Sequence, residues 1–178
     1  MTVRIRPAIE ADYAVAGEIC VAAYRADGQL PPALPPGGDF PNGHDYSITL
    51  ADVASRAEHG EVLVAVEPTD GAILGCVTFM TPGSLYAELS KADEAEFRML
   101  AVAPAAQGRG VGAALVSACL ERANDLGYDA VVICVRDFNV AAKRLYASFG
   151  FAAVPDRDWS PVPGVSLEAL RLELPIAS

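Results

Sequence analysis

The feature that most constrains this chain is a strand, a glycine-rich turn and a helix in direct succession. Residues 96–102 (Glu-Phe-Arg-Met-Leu-Ala-Val) have strand character, and Pro104 ends their pairing. Residues 107–112 (Gln-Gly-Arg-Gly-Val-Gly) then open an apolar-striped helix that stops at Gly127. The all-apolar run 130–135 that follows is typical of a strand covered on both faces. This order predicts a βαβ unit with a parallel strand pair.

The glycine-rich turn is a candidate anion site. Without side chains at Gly108, Gly110 and Gly112, a phosphate can approach the backbone N–H groups and the positive end of the helix dipole. The chain has no Gly-Lys followed by Ser or Thr, which excludes a P-loop nucleotide hydrolase. A dinucleotide-binding fold stays open as an alternative because Gly108-x-Gly110-x-x-Ala113 has its glycine spacing. However, that fingerprint has its first glycine directly after the strand, whereas here residues 103–107 intervene.

The segments on either side complete a single domain over residues 1–178. Before the unit we expect a strand at 3–6, a helix capped by Asp12, a second helix ending near Gly60, and a hairpin of strands 61–67 and 73–80. After it we expect a helix from Asn139 to Gly150 and strands at 151–154 and 167–174. The proline- and glycine-rich stretch 28–43 is predicted to be a long irregular loop.

Residues 96–151 resemble the GNAT superfamily of acyl-CoA-dependent N-acyltransferases. The resemblance rests on Gln107-x-x-Gly110-x-Gly112, on Leu100-Ala101-Val102 before it, and on Asn139, Tyr146 and Phe149-Gly150-Phe151 after it. It implies an α/β (α+β) fold whose mixed, strongly twisted sheet has about six to seven strands and about four flanking helices. It also implies that the sheet splays open between strands 96–102 and 130–135 to admit the pantetheine arm of acetyl-CoA.

The resemblance assigns cofactor binding to three segments. The strand contributes Leu100, Ala101 and Val102, whose backbone N–H groups would also stabilise the reacting oxygen; the turn contributes Gln107, Gly108, Arg109, Gly110, Val111, Gly112 and Ala113. Asn139, Ala142, Lys143 and Tyr146 share one face of the last long helix, so one ligand could contact all of them. Taken singly, Asn139 could be a helix N-cap and Tyr146 a core aromatic. No metal is expected.

Charge placement agrees with an anionic cofactor. The chain holds 13 Lys and Arg against 23 Asp and Glu, a net charge of −10. Residues 96–151 hold six basic and five acidic residues, a net charge of +1, so the rest of the chain carries −11. Acetyl-CoA would therefore be repelled by most of the chain but not by this segment. The same balance argues against nucleic-acid or anionic-membrane partners.

Two residues are candidates for proton transfer. A lysine-like amine is protonated at pH 7, and exposing its lone pair costs about 4 to 5 kcal/mol, so a general base is useful. Glu96 matches the glutamate that serves this role in many family members, directly or through water; it could instead be an exposed strand carboxylate or a partner for Arg98. Tyr146 would protonate the departing thiolate as general acid.

The sequence thus predicts an acetyl-CoA-dependent N-acetyltransferase that acts directly on a small cationic amine. Acidic loop residues fit such an acceptor: Asp27, Asp39, Asp45, Glu88, Asp93 and Glu94. Aromatic or apolar amines stay open through Leu30, Leu34, Phe40 and Tyr46, and His44 at the end of the proline-rich loop is a further substrate-site candidate. A protein or peptide acceptor and an acyl-CoA-binding module without turnover are the alternatives. Four apolar-flanked cysteines and the absence of a signal or membrane span predict a cytoplasmic protein, and the resemblance adds a homodimer.

Overall fold

The structure, a computed structural model, describes residues 3–30 and 45–175. Seven strands form one mixed sheet in the order β1-β2-β3-β4-β5-β7-β6. The strands are β1 (Arg4–Pro7), β2 (Glu61–Val66), β3 (Ile73–Met80), β4 (Glu94–Val102), β5 (Ala130–Arg136), β6 (Ala152–Ala153) and β7 (Leu167–Glu173). The helices are α1 (Tyr13–Ala26), α2 (Tyr46–Ala51), α3 (Val53–His59), α4 (Val111–Asp125) and α5 (Val140–Ser148). The predicted mixed sheet is confirmed.

The predicted opening of the sheet lies between β4 and β5. These strands pair in parallel only from Glu94, opposite Ala130, to Glu96, opposite Val132. On its other edge β4 carries a bulge, because Thr78 pairs with Arg98 while Cys76 pairs with Ala101, which leaves one extra residue on β4. Met99 within this bulge has φ 56°, a left-handed conformation that a methionine rarely adopts. Beyond Glu96, β4 therefore runs without β5 at its side.

Both faces of the sheet are covered by helices. Along β2, Leu63 and Ala65 pack with α4 and α5, whereas Val62, Val64 and Val66 pack with α1 to α3. This alternation is the two-residue period of a strand buried on both sides. The apolar stripe of α4 is buried as predicted, and Gly127 follows its end with φ 77°.

Three local predictions need correction. The second helix is two helices, because Asp45 and Asp52 each cap a separate one by accepting a backbone N–H, from Ser47 and Ser55 respectively. Asp12 precedes α1, but its carboxylate accepts hydrogen bonds from the Arg6 guanidinium and the Ile9 N–H rather than from the helix. The strand predicted at 151–154 is reduced to two residues.

A buried ion cluster lies at the start of β4. Glu94 is 2% exposed and accepts hydrogen bonds from Arg157 (3.0 and 2.8 Å), from Arg171 Nε (2.8 Å) and from the Lys91 N–H (3.1 Å). Burial opposes ionisation, but these donors outweigh it and lower the pKa of Glu94 to about 2. Because Arg157 and Arg171 belong to the C-terminal part of the chain, the cluster ties that part to the start of β4.

We expect Glu94 to make the fold acid-sensitive. Its lowered pKa contributes stability above the unfolded value of about 4.3, and this stability is lost as the pH falls toward about 2. Glu94→Gln should lower the free energy of unfolding at pH 7 by about 2 to 3 kcal/mol and flatten its decline between pH 5 and pH 2, measured by denaturant titration. Glu173→Gln is the matched control, because Glu173 contacts the same Arg171 from an 85% exposed position. Parallel wild-type and Glu94→Gln curves would contradict the assignment.

Candidate active site

A cavity of about 1530 Å³ occupies the opening between β4 and β5. Pockets for drug-sized ligands measure about 300 to 1,000 Å³, so this one has room for a cofactor and a second substrate. It collects most of the cofactor-binding residues predicted from the sequence: Leu100, Ala101, Val102, Gln107, Gly108, Gly110, Val111, Gly112, Ala113, Asn139, Ala142 and Tyr146. These residues come from β4, from the turn before α4 and from α5.

The glycine turn presents bare backbone to the cavity. Gly108 and Gly110 have φ of 73° and 79°, and a Cβ at either position would meet no atom within 4 Å. Among the described residues, the N–H groups of Gly108, Gly110, Gly112 and Ala113 donate no hydrogen bond to the chain. Unsatisfied N–H groups at the start of the 15-residue helix α4 are suited to a phosphate. The turn therefore fits a diphosphate-bearing cofactor.

Two predicted cofactor contacts lie elsewhere. The Arg109 guanidinium bonds to the Glu67 carboxylate, and Lys143 Nζ bonds to the Asp137 carbonyl oxygen (2.6 Å) and the Glu168 carboxylate (2.7 Å). Neither side chain lines the cavity. Long basic side chains in an acidic protein find intramolecular carboxylates, which the local sequence does not reveal. The turn accordingly presents backbone N–H groups, rather than these two basic side chains, to the cavity.

Tyr146 lies on the α5 side of the cavity and is 7% exposed. Its ring packs against Phe97 and Phe151, with centroids 6.0 and 5.8 Å away. The hydroxyl makes no hydrogen bond within the described parts of the chain, and burial raises the pKa of Tyr146 well above its ordinary value. The phenol thus keeps its proton at physiological pH. Tyr146 is therefore a core aromatic residue that also lines the cavity.

Glu96 does not line the cavity. Its side chain is fully buried, and its carboxylate accepts hydrogen bonds from the N–H groups of Glu88 (3.0 and 3.2 Å), Leu89 (2.9 Å) and Ser90 (3.0 Å). The carboxylate is therefore directed at the loop between β3 and β4, and it fixes residues 88–90. Of the two residues predicted to transfer protons, Tyr146 lines the cavity and Glu96 does not.

The other end of the cavity is lined by residues that the sequence analysis mostly missed. Its lining includes Glu88, Arg98 and the half-buried Cys134. It also includes the aromatic side chains of Tyr24, Tyr46, Tyr86 and Trp159. Burial raises the pKa of Tyr24, Tyr46 and Cys134, so these groups are protonated at neutral pH. Of the acceptor-side candidates from the sequence, Leu30, Tyr46, Asp27, Asp45 and Glu88 line the cavity, whereas Asp93 and Glu94 do not.

Some sequence candidates lie outside the described residues: Leu34, Asp39, Phe40 and His44, together with residues 31–43 of the predicted irregular loop. Asn139 is confirmed as the N-cap of α5, since its side-chain oxygen accepts the Ala142 N–H at 3.1 Å, and it also borders the cavity. Across residues 3–30 and 45–175, no helix is long and apolar enough to span a membrane.

The site thus combines a mixed sheet opened at its parallel pair, backbone N–H groups without hydrogen bonds at one end of the opening, and a buried phenol beside it. Comparison with known proteins names the family. Residues 32–151 match the model of the acetyltransferase (GNAT) family. The chain therefore belongs to the GNAT family of N-acetyltransferases, and the resemblance found in its sequence is confirmed.

Individual relatives support the same assignment. The chain is 34% identical over 119 residues to an uncharacterised N-acetyltransferase of Schizosaccharomyces pombe, a match that covers 65% of each protein. It is 35% identical over 108 residues to the mycothiol acetyltransferase of Stackebrandtia nassauensis, covering 58% of this chain but only 34% of that protein. The yncA protein of Salmonella typhimurium, solved with its cofactor acetyl-CoA, superposes with a TM-score of 0.65 at 25% identity over 100% of this chain and 97% of its own.

Proposed function

We propose that this chain transfers an acetyl group from acetyl-CoA directly to the amine of a small molecule that arrives as an ammonium ion. The observation that carries the proposal is one continuous cavity that runs from the glycine turn past Tyr146 to the carboxylate of Glu88. Acetyl-CoA, when bound, supplies an acetyl group activated as a thioester. The yncA structure with acetyl-CoA supports this choice of donor.

Backbone groups would hold the cofactor. The N–H groups of Gly108, Gly110, Gly112 and Ala113 would bind its diphosphate, which explains why Arg109 and Lys143 can be engaged elsewhere. The β4 edge at residues 100–102 borders the opening without a partner strand and would receive the pantetheine arm and the reacting carbonyl oxygen.

Proton transfer would involve two groups on opposite sides of the acyl position. The amine must lose a proton at a cost of about 4 to 5 kcal/mol at pH 7, and Glu88 is the glutamate that lines the cavity. We assign proton acceptance to Glu88 and give Glu96, predicted as the base from the sequence, the role of holding Glu88 in place. Tyr146 would donate its retained proton to the leaving thiolate. No covalent enzyme intermediate is needed.

The acceptor end supports an amine that carries positive charge. Carboxylates of Asp27, Asp45 and Glu88 line the same cavity as the rings of Tyr24 and Tyr46, whose centroids are 6.1 Å apart. Carboxylates attract an ammonium group, and aromatic faces stabilise a cation and enclose its apolar part.

An assay that incubates acetyl-CoA with a panel of small amines and monitors the release of free thiol tests the proposal. We expect thiol release that depends on the amine and a product heavier by one acetyl group in the mass spectrum. Calorimetry should show that acetyl-CoA binds without any amine. Binding without turnover on every amine, and turnover only on peptides, are the two results that would replace this proposal by one of the alternatives.

A pair of glycine substitutions tests the cofactor end. Gly110→Ala introduces a Cβ at φ 79° on the cavity, and Gly71→Ala introduces one at φ 78° in the β2–β3 turn, away from the cavity; neither Cβ meets an atom within 4 Å. Both variants should lose about 1 to 2 kcal/mol of stability through the same backbone strain. Only Gly110→Ala should weaken acetyl-CoA binding, by about tenfold in calorimetry, because the turn must reshape or lose an N–H contact. Equal cofactor affinity in both variants would remove the turn from the binding site.

A further inference from the structure

Arg98 is the charged side chain at the acceptor end that the proposed reaction does not use. It lies on β4 beside the bulge, and its side chain is 14% exposed. Nη1 donates to the Tyr86 carbonyl oxygen at 2.9 Å and lies 3.3 Å from Glu88 Oε1. Within the described residues, Nε and Nη2 make no hydrogen bond, and neither is sealed from the cavity that Arg98 lines. One edge of the guanidinium is therefore bonded and the other is available.

The available edge has the chemistry of a carboxylate receptor. Nε and Nη2 present two parallel N–H groups in one plane, which is the arrangement that binds both oxygens of a carboxylate. A mostly buried cation also needs an anion, and the single contact to Glu88 at 3.3 Å comes from a carboxylate that is 39% exposed. A second anion on the free edge would complete the hydrogen bonds of Arg98.

Arg98 lines the same cavity as the residues that we propose to take part in acetyl transfer. Arg98, Cys134 and Tyr146 all line the same cavity, so the guanidinium and the proposed proton donor border one space. Glu88, the proposed partner of the ammonium, contacts Arg98 directly. A molecule that reaches Glu88 with its amine therefore has Arg98 within reach of a neighbouring group.

We propose that the acceptor is an amino acid, with Arg98 binding its carboxylate and Glu88 its ammonium group. The inference rests on the proposed function and narrows it. A purely cationic amine would leave the second edge of the Arg98 guanidinium without an acceptor, whereas a zwitterion offers a group to each member of the Arg98–Glu88 pair. The rings of Tyr24, Tyr46 and Tyr86 would then enclose the amino-acid side chain.

Matched sets of acceptors test the inference on the wild-type enzyme. Each set contains an amino acid, its carboxamide and its decarboxylated amine, for example leucine, leucinamide and isoamylamine, or phenylalanine, phenylalaninamide and phenethylamine, extended over the common side chains. We expect kcat/KM for the best amino acid to exceed that of its amide and amine at least tenfold. Equal or better use of the amide or the amine in every set would overturn the inference and leave the proposed acetyl transfer intact. Failure of all acceptors would instead overturn the proposed function, and the inference with it.

A charge-matched pair of variants assigns the preference to Arg98. Arg98→Gln removes the guanidinium in the cavity, and Arg4→Gln removes an exposed one on β1. The acid-to-amine ratio of kcat/KM should fall toward one in Arg98→Gln and keep its wild-type value in Arg4→Gln. An unchanged ratio in folded Arg98→Gln, with folding checked by circular dichroism and by acetyl-CoA binding, would refute the assignment.

Discussion

Replacing Tyr146 with phenylalanine should lower kcat by about 100-fold or more while acetyl-CoA affinity stays near the wild-type value. The loss is that of a positioned general acid, because the ring keeps its place between Phe97 and Phe151 while the proton donor disappears. Steady-state kinetics at saturating acceptor and calorimetry with acetyl-CoA measure the two quantities. Stability should change little, since the hydroxyl makes no hydrogen bond within the described residues.

The pH dependence of the activity tests the protonation state of Tyr146. Because burial raises the pKa of Tyr146, the phenol remains protonated past its ordinary value of about 10. Wild-type activity should therefore show no alkaline decline from this group below about pH 10. A Tyr146→Phe enzyme that turns over at the wild-type rate would remove Tyr146 from the reaction and favour a role in the core alone.

The part of the site that depends on short-range sequence could be predicted. The glycine turn and the α5 face with Asn139, Ala142 and Tyr146 are fixed by spacing within one turn or one helix, and all of them line the cavity. The opening of the sheet followed from the family resemblance. Its local cause, the extra residue on β4 at the bulge with Met99 at positive φ, has no signature in the sequence.

The parts of the site that were not predicted from the sequence depend on long-range contacts. The partners of Arg109 and Lys143 lie far from them along the chain, at Glu67 and Glu168, so their use in ion pairs was invisible. The hydrogen bonds that loop N–H groups donate to the Glu96 carboxylate could not be predicted from the sequence either. The acceptor end combines α1, α2, the β3–β4 loop and the segment before β7, through Tyr24, Tyr46, Tyr86 and Trp159, and only tertiary folding brings them together.

Glu96 could act as the general base, or it could support the loop at residues 88–90. The two roles predict different responses to two substitutions. Oε2 accepts from Glu88, Leu89 and Ser90, while Oε1 accepts only a longer contact of 3.2 Å from Glu88. A glutamine with its oxygen at the Oε2 position keeps three of these hydrogen bonds, whereas alanine keeps none and leaves the N–H groups of Glu88, Leu89 and Ser90 without this acceptor. We therefore expect Glu96→Gln to reduce kcat by less than about fivefold and Glu96→Ala to reduce it by about 100-fold.

A general base would behave otherwise, because glutamine and alanine are equally unable to accept the proton. If Glu96→Gln loses as much activity as Glu96→Ala, and loses the acidic limb of the pH–rate profile, then Glu96 is the base. If Glu96 supports the loop, Glu96→Gln keeps that limb, and Glu88→Gln is the variant that loses it. The comparison decides between the two carboxylates because one faces the cavity with a free edge while the other is saturated by the backbone beneath it.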